Sequence, residues 1–475
     1  MAKINPKDMR LIHTSEDVIE SYCCSGEDAM IGAEVELCFF DPETPDLAMM
    51  SPDQNEIAMA AAAAQYPAGS FNFEPSSDFM EANSVPGFFD DLHPVFDDTA
   101  AKVQTLMKEA QALGLKRSYF QNLPHVSGGT LLDNIVNLER YQAFWAPPRA
   151  DMMDIATYFT VTKSTQVSIS YKDYEHMHRN VRQLYLLAPF LFLMSDNSSG
   201  FNEGQRFTGH AGMHHRSSLG GRGRFPPYIF SAENGEQYIE SHIDHVMHNR
   251  MYVYYDAEGV LQRLPSGTWW TFEKDLKPRG LNTVANYYLA QSILWPDVKI
   301  ASLRDGQGNV TQHRYEARMF GVGMHQAQTA LLITGALAFD DDFAEKVGGL
   351  LRDYGMCLKE APVCIDSLTR NYDTAQSHDG AFFDIAYGTG TMREFAREFG
   401  ALLGDSKGAS LYPDQIAPAL HICESGWPDG RVNQALFADL DAVKAHLRAY
   451  DVGVFDNPNQ CAHMVFGKDL RTKVA

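Results

Sequence analysis

Residues 31–40 alternate with a period of two, as a strand requires: Ala33, Val35 and Leu37 share one face, Glu34 and Glu36 the other. Cys38 and Phe40 continue the acidic face, so it is not a plainly solvated one. Residues 71–86 read as strand, turn and strand, with Pro75-Ser76-Ser77-Asp78 at the turn. Gln166 to Ser170 alternates again, and Arg314, Glu316 and Arg318 share one face of a strand that closes a mixed α/β stretch over 235–320. Elsewhere the spacing turns helical. Residues 97–113 carry the stripe Val103, Leu106, Met107, Ala110 and Leu113, with Asp98 or Thr99 as cap and Gly114 as stop. Asp173 leads into a long helix through Met194 that Pro189 is expected to kink or interrupt. Residues 1–30 read as a short helical lead-in and 41–70 as a mixed segment around the run Ala58 to Ala64. Helices are expected over 325–338, 342–356, 390–403 and 433–449.

Between these elements, residues 196–230 are rich in Gly, Ser, His and Arg and poor in aliphatics, the pattern of a long functional loop. Gly221-Arg222-Gly223-Arg224 within it lacks the G-x-x-x-x-G-K-[ST] of a P-loop and reads either as a flexible basic loop or as an arginine cover over nucleotide phosphates. His214 and His215 are adjacent, so on a strand they point apart and make a poor joint metal site. No repeat or low-complexity tract occurs. The change near residue 325 divides the chain into an α+β catalytic body, 1–325, and a helical C-terminal region packed on it, 326–475.

Composition narrows the partners. The 475 residues carry 61 acidic and 39 basic side chains, a net charge of −22, which argues against nucleic acid and anionic membranes. No signal-peptide core and no run of about 18 apolar residues is present, so a soluble, cytoplasmic protein is expected. Seven cysteines, odd in number and without a CxxC pair, favour reduced thiols over disulfides or zinc.

The candidate chemistry lies in the carboxylates. Glu34 and Glu36 stand on a face that Cys38 and Phe40 continue; Glu74 and Glu81 mean little alone but complete a set of four hard oxygen donors suited to Mg²⁺ on ATP phosphates. Gln166 is either a cross-strand polar residue or a ligand. Arg314 and Arg318 flanking Glu316 are either surface ion pairs or the cations that steady a transferring phosphoryl group or grip a substrate carboxylate.

These segments, in their order, resemble the glutamate–cysteine ligase family, especially its plant and proteobacterial branch. Ile31-Gly32-Ala33-Glu34-Val35-Glu36 is similar to its G-x-E-x-E strand, and Phe73-Glu74-Pro75 with Phe79-Met80-Glu81 to its L-E-P-G-G-Q-F-E segment. Arg140-Tyr141 stands for an R-Y pair, Thr165-Gln166-Val167-Ser168 for T-x-Q-V-N, and Asp196-Asn197-Ser198 for A-N-S-P. Trp295-Pro296-Asp297-Val298 and Arg314-Tyr315-Glu316-Ala317-Arg318 are similar to F-P-E-V-R and R-Y-L-E-M-R, separated here by the insertion Asp305 to Asn309. Ser168 replaces the family's Asn, Ser199 its Pro, and the loop 205–224 lacks its W-T-D-x-D-x-x-R.

The resemblance implies an α+β, glutamine-synthetase-like fold: a curved, mainly antiparallel sheet forming a funnel, with outer helices. It implies a ligase that uses ATP and two or three Mg²⁺ ions to join L-glutamate to an amine, L-cysteine first. Glu34, Glu36, Glu74, Glu81 and Glu316 would hold the metal. Arg318, with Arg314 second, would act on the phosphoryl group or glutamate, and Gln166, Arg216 and Arg222 would contact nucleotide or substrate. A different amine acceptor, a non-catalytic nucleotide or amino-acid sensor, and a metal-dependent hydrolase remain the alternatives, and oligomeric state is not legible.

Overall fold

The computed structural model describes residues 6–19, 22, 24–138, 141–142, 144, 162–304, 310–356 and 361–455. Arg140 of the expected R-Y pair and the insertion 305–309 lie outside them.

The centre is a curved antiparallel sheet of seven strands: β1 Ile31–Phe40, β2 Phe71–Phe73, β3 Phe79–Asn83, β4 Lys116–Ser118, β5 Thr165–Ser170, β6 Val298–Arg304 and β7 Val310–Phe320. Their spatial order is β6-β7-β5-β1-β3-β2, with β4 paired to the end of β1. Alternation assigns the faces as expected. Val35, Leu37, Met80 and Ala82 pack under α1 Pro52–Ala63, through Ala58, Met59 and Ala62, and under α2 His93–Ala112, through Val103, Leu106 and Ala110. Ala33, Val167, Ile169 and Tyr315 join the large core of α3 Tyr174–Ser195 and the C-terminal helices. Burying aliphatic and aromatic side chains on this side contributes about 25 cal/mol per Å² of apolar area removed from water. The opposite face of the sheet carries the charged residues.

Several sequence expectations change. Helix α2 begins at His93, with Pro94 in its first turn, four residues before the expected start. Asp98 is therefore interior, accepting from the Val85 backbone N–H and pairing with Lys102 at 2.7 Å, and Thr99 Oγ1 donates back to Val95 C=O. Second, α3 is capped by Asp173 as expected but runs unbroken through Pro189. Eighteen of its residues are buried, so tertiary packing outweighs the lost hydrogen bond. Third, residues 196–230 are not a loop. They fold into a short hairpin, helix α4 Ala211–Ser218 and single 3₁₀ turns, and most of their side chains are buried. His214 and His215 thus sit on a helix, where the buried His215 bonds Asn202 at 3.0 Å.

Helix α5 Gly235–His248 packs against α3. The C-terminal helices are α6 Met324–Phe339, α7 Asp341–Asp353, α8 Ala361–Gln376, α9 Met392–Gly404, α10 Pro413–Ser425, α11 Asp429–Leu436 and α12 Leu440–Ala449. The helix expected over 433–449 is two helices, separated where Asp439 caps α12 by accepting from Ala442 N–H. No helix among the described residues is long and apolar enough to cross a membrane.

Candidate active site

Strand register gathers the polar residues. Glu36 lies opposite Glu81, Glu34 opposite Gln166, and Glu316 is flanked by Ser168 on β5 and Lys299 on β6. Glu74 enters from the turn after β2. The result is a polar strip across five strands, acidic toward β3 and basic toward β6.

At the acidic end, Glu36, Glu74 and Glu81 each present an oxygen within 4.8 Å of the others. Glu36 is fixed by the Ser164 N–H at 2.6 Å and by Gln166 Nε2, which donates to its other oxygen at 3.0 Å. Asn72 Nδ2 donates to Glu81 at 2.8 Å. Burial, then the charges of Glu34, Glu74 and Glu36, push the Glu81 carboxyl well above its usual range. Burial likewise raises Glu36, against the donors around it. Crowded, desolvated carboxylates favour either a proton or a cation, and three hard oxygens fit Mg²⁺.

Glu34 and Glu316 stand apart from this trio in one respect: Arg314 holds both. Its Nη2 is 2.9 Å from Glu34 and 2.8 Å from Glu316, and its Nε donates to Glu316 at 3.1 Å. Burial alone would raise Glu316, but Arg314, Lys299 and Arg318 outweigh it and leave the group below its normal value. Glu34 remains raised, because burial and Glu316 exceed the pull of Arg314. Burial and then Arg318 push the Lys299 ammonium down to about 8.

Beside the trio is a cavity of ≈ 40 Å³. Its lining combines the carboxylates of Glu36 and Glu74, the cations of Lys163, Arg216 and Arg318, and the rings of Phe79, Phe192 and Phe320. At roughly 10–15 Å³ per water the enclosed part admits an ion and a few waters. Lys163 is anchored 2.9 Å from Asp78, both side chains fully buried, and its Nζ stands 4.4 Å from the centre of the Phe79 ring. Asp78 also accepts the Cys38 thiol at 3.1 Å, which explains why the acidic face of β1 continues as Cys38. Such a pair is stable because each charge has its partner; breaking it would leave one buried alone.

Of the expected nucleotide residues, the structure brings Arg216 to the cavity but not Arg222. Arg222 donates to Arg250 C=O at 3.1 Å and stacks 4.4 Å from the Trp269 ring, beside a separate small cavity containing His242 and Lys299. Tyr141 donates to Phe73 C=O at 3.0 Å, next to Glu74. Sequence reasoning missed Lys163 and Asp78, although Lys163 directly precedes the β5 motif. It also missed Lys299, which alternation two residues beyond Asp297 could have found. Nothing local marked Gln121 or His210, which line the cavity from distant segments.

No family model matches the chain, and no curated protein sequence matches it. Solved structures do. The crystal structure of glutamate–cysteine ligase from Francisella tularensis in complex with AMP superposes with a TM-score of 0.53 at 10% identity, covering 89% of each chain. A bifunctional glutathione synthetase from Pasteurella multocida gives a TM-score of 0.38 at 8% identity, over 89% of this chain and 52% of that one. The superposition over 89% of each chain, together with the curved antiparallel sheet and its helical C-terminal region, gives this chain a glutamate–cysteine ligase-like fold.

Proposed function

We propose that the chain is an ATP- and Mg²⁺-dependent carboxylate–amine ligase that joins the γ-carboxylate of L-glutamate to the amine of L-cysteine. The observation that carries this reading is that the cavity lined by Glu36 and Glu74, two of the three clustered carboxylates, is also lined by Lys163, Arg216 and Arg318, on a glutamate–cysteine ligase-like fold.

A carboxylate is a poor electrophile, so its activation as an acyl phosphate by ATP makes the oxygen a leaving group. The protein's work is positioning and charge neutralisation. Glu36, Glu74 and Glu81 would hold Mg²⁺, with Glu34 and Glu316 joining when Arg314 turns from them to a substrate anion; bound there, the metal supplies charge neutralisation for the phosphates. Arg318, which lines the cavity beside Arg216, would meet the transferring phosphoryl group. Gln166, with its Nε2 spent on Glu36, keeps its amide oxygen for a ligand. The phenylalanines exclude water, which protects an acyl phosphate from hydrolysis.

The test is phosphate release with ATP, Mg²⁺ and L-glutamate, adding L-cysteine or a panel of other amines and identifying products by mass. Cysteine-dependent release with a γ-glutamylcysteine product supports the reading. Release with another amine keeps the mechanism and changes the acceptor. No turnover with any acceptor removes the ligase reading and favours a sensor.

A further inference from the structure

Asp297 stands just before β6 with its side chain only 1% exposed. One of its carboxylate oxygens accepts the Tyr372 hydroxyl, and the other lies 3.5 Å from Arg216 Nη1. Its backbone is engaged as well: its C=O accepts the Arg318 N–H at 2.9 Å, and its N–H donates to Arg224 C=O at 2.8 Å. Arg216 completes the loop, donating from Nη1 to Trp295 C=O at 3.2 Å and from Nη2 to Arg318 C=O at 3.1 Å. The peptide groups on both sides of Arg318 are therefore pinned, one by Asp297 and one by Arg216.

Tyr372 belongs to α8, far along the chain in the helical C-terminal region. The same helix touches the arginine segment again: Asp373 Oδ1 and Gln376 Oε1 each accept from Arg224 Nη2 at 2.8 Å, and Gln376 C=O accepts the His210 N–H at 3.1 Å. The Asp297 oxygen that faces Arg216 forms an ion pair without a hydrogen bond, so the donor that satisfies this buried carboxylate is the Tyr372 hydroxyl.

We propose that Tyr372 and Asp297 are positioning residues through which helix α8 sets the direction of Arg216 and Arg318, making the C-terminal helical region a working part of the site. The anion that those arginines meet rests on the ligase reading; the positioning itself does not. Neither residue lines the cavity. Tyr372 removes one freedom from Asp297, Asp297 removes one from Arg216, and both fix the strand carrying Arg318.

The experiment compares Tyr372→Phe with Tyr412→Phe in the full chain. Tyr412 is also buried and hydrogen-bonded, to Leu92 N–H and Phe89 C=O, but lies outside the cavity lining, so it reports the structural loss of a hydroxyl alone. Tyr372→Phe should lower kcat by about 10- to 100-fold, the usual effect of loosening a group that orients a catalytic one, with an unchanged circular dichroism spectrum. Tyr412→Phe should lower Tm and leave kcat in place. A wild-type kcat in Tyr372→Phe overturns the proposal.

If the wild-type chain turns over no ATP, the ligase reading fails by itself, and arginine Nε–H NMR decides the positioning. The Arg216 and Arg318 signals should be sharp and slow to exchange in the wild type and broadened in Tyr372→Phe. Signals identical in the two proteins overturn the proposal.

Discussion

Arg314 is the sharpest point of attack on the site's electrostatics. It is the close cation for two largely buried carboxylates, with side-chain exposures of 15% for Glu34 and 7% for Glu316. At 2.9 and 2.8 Å, and with an effective dielectric of about 20, each attraction amounts to about 6 kcal/mol before desolvation is counted. Desolvation cancels much of this, so the net loss on removing the cation is about 3–5 kcal/mol, the usual cost of stranding a buried charge. Arg314→Met keeps the volume of the stem and removes the charge. For a chain of this length the unfolding entropy is about 1 kcal/mol/K, which turns the loss into a Tm drop of about 3–5 °C. Thermal denaturation at neutral pH in the absence of divalent cations measures it. Adding Glu34→Gln to Arg314→Met should restore part of the stability, because one stranded charge is then gone. A double variant no more stable than Arg314→Met would refute the reasoning, as would an Arg314→Met protein melting with the wild type.

Other expectations follow from the same arrangement. Glu81→Gln removes the carboxyl most disfavoured by its neighbours, so the metal-free protein should melt at or above the wild-type temperature while losing Mg²⁺-induced stabilisation; a normal Mg²⁺ response would take Glu81 out of the metal site. Glu36→Ala or Glu316→Ala should cut turnover by several powers of ten in the phosphate-release assay, since several kcal/mol of transition-state stabilisation goes with a metal ligand. Acid stability depends on buried histidines. Burial pushes His210 and His378 down to about 4 and His215 and His242 down to about 3. The unfolded chain takes up these protons below about 6.5 and the folded chain does not, so stability is full above pH 6.5 and falls toward pH 4. Each buried histidine should contribute a slope of about 1.4 kcal/mol per pH unit, measurable by urea denaturation from pH 7 to 4.5. A flat profile would show that these rings gain protons without unfolding.

The alternating runs of the chain determined a good part of this by themselves. In Ile31–Phe40, a two-residue period can bury Val35 and Leu37 only by turning Glu34 and Glu36 to the other face, so strand, face and candidate ligands were legible together. The same holds for Arg314, Glu316 and Arg318. Helix starts were less legible: at α2, Pro94 and the packing of Val95 and Phe96 decided the beginning, against the local capping signal of Asp98. The segment 196–230 misled for a related reason. Its polar residues are satisfied inside the protein, so a composition that reads as solvated loop is in fact buried structure.

What only the tertiary structure decided is who pairs with whom. Charges on separate strands become partners through register, and register follows from the whole sheet rather than any one strand. That is why Arg314 was legible as a site residue but not as the counter-ion of Glu34, and why Glu36, Glu74 and Glu81, rather than all five carboxylates, make the tight group. Asp78 and Lys163, 85 positions apart in sequence, meet because β3 and β5 both pair with β1, and Asp297 and Tyr372, 75 apart, meet where helix α8 reaches the start of β6. Alternation fixes the face on which a side chain stands; long-range packing fixes the charge it stands beside, and in a buried site that second choice sets the chemistry.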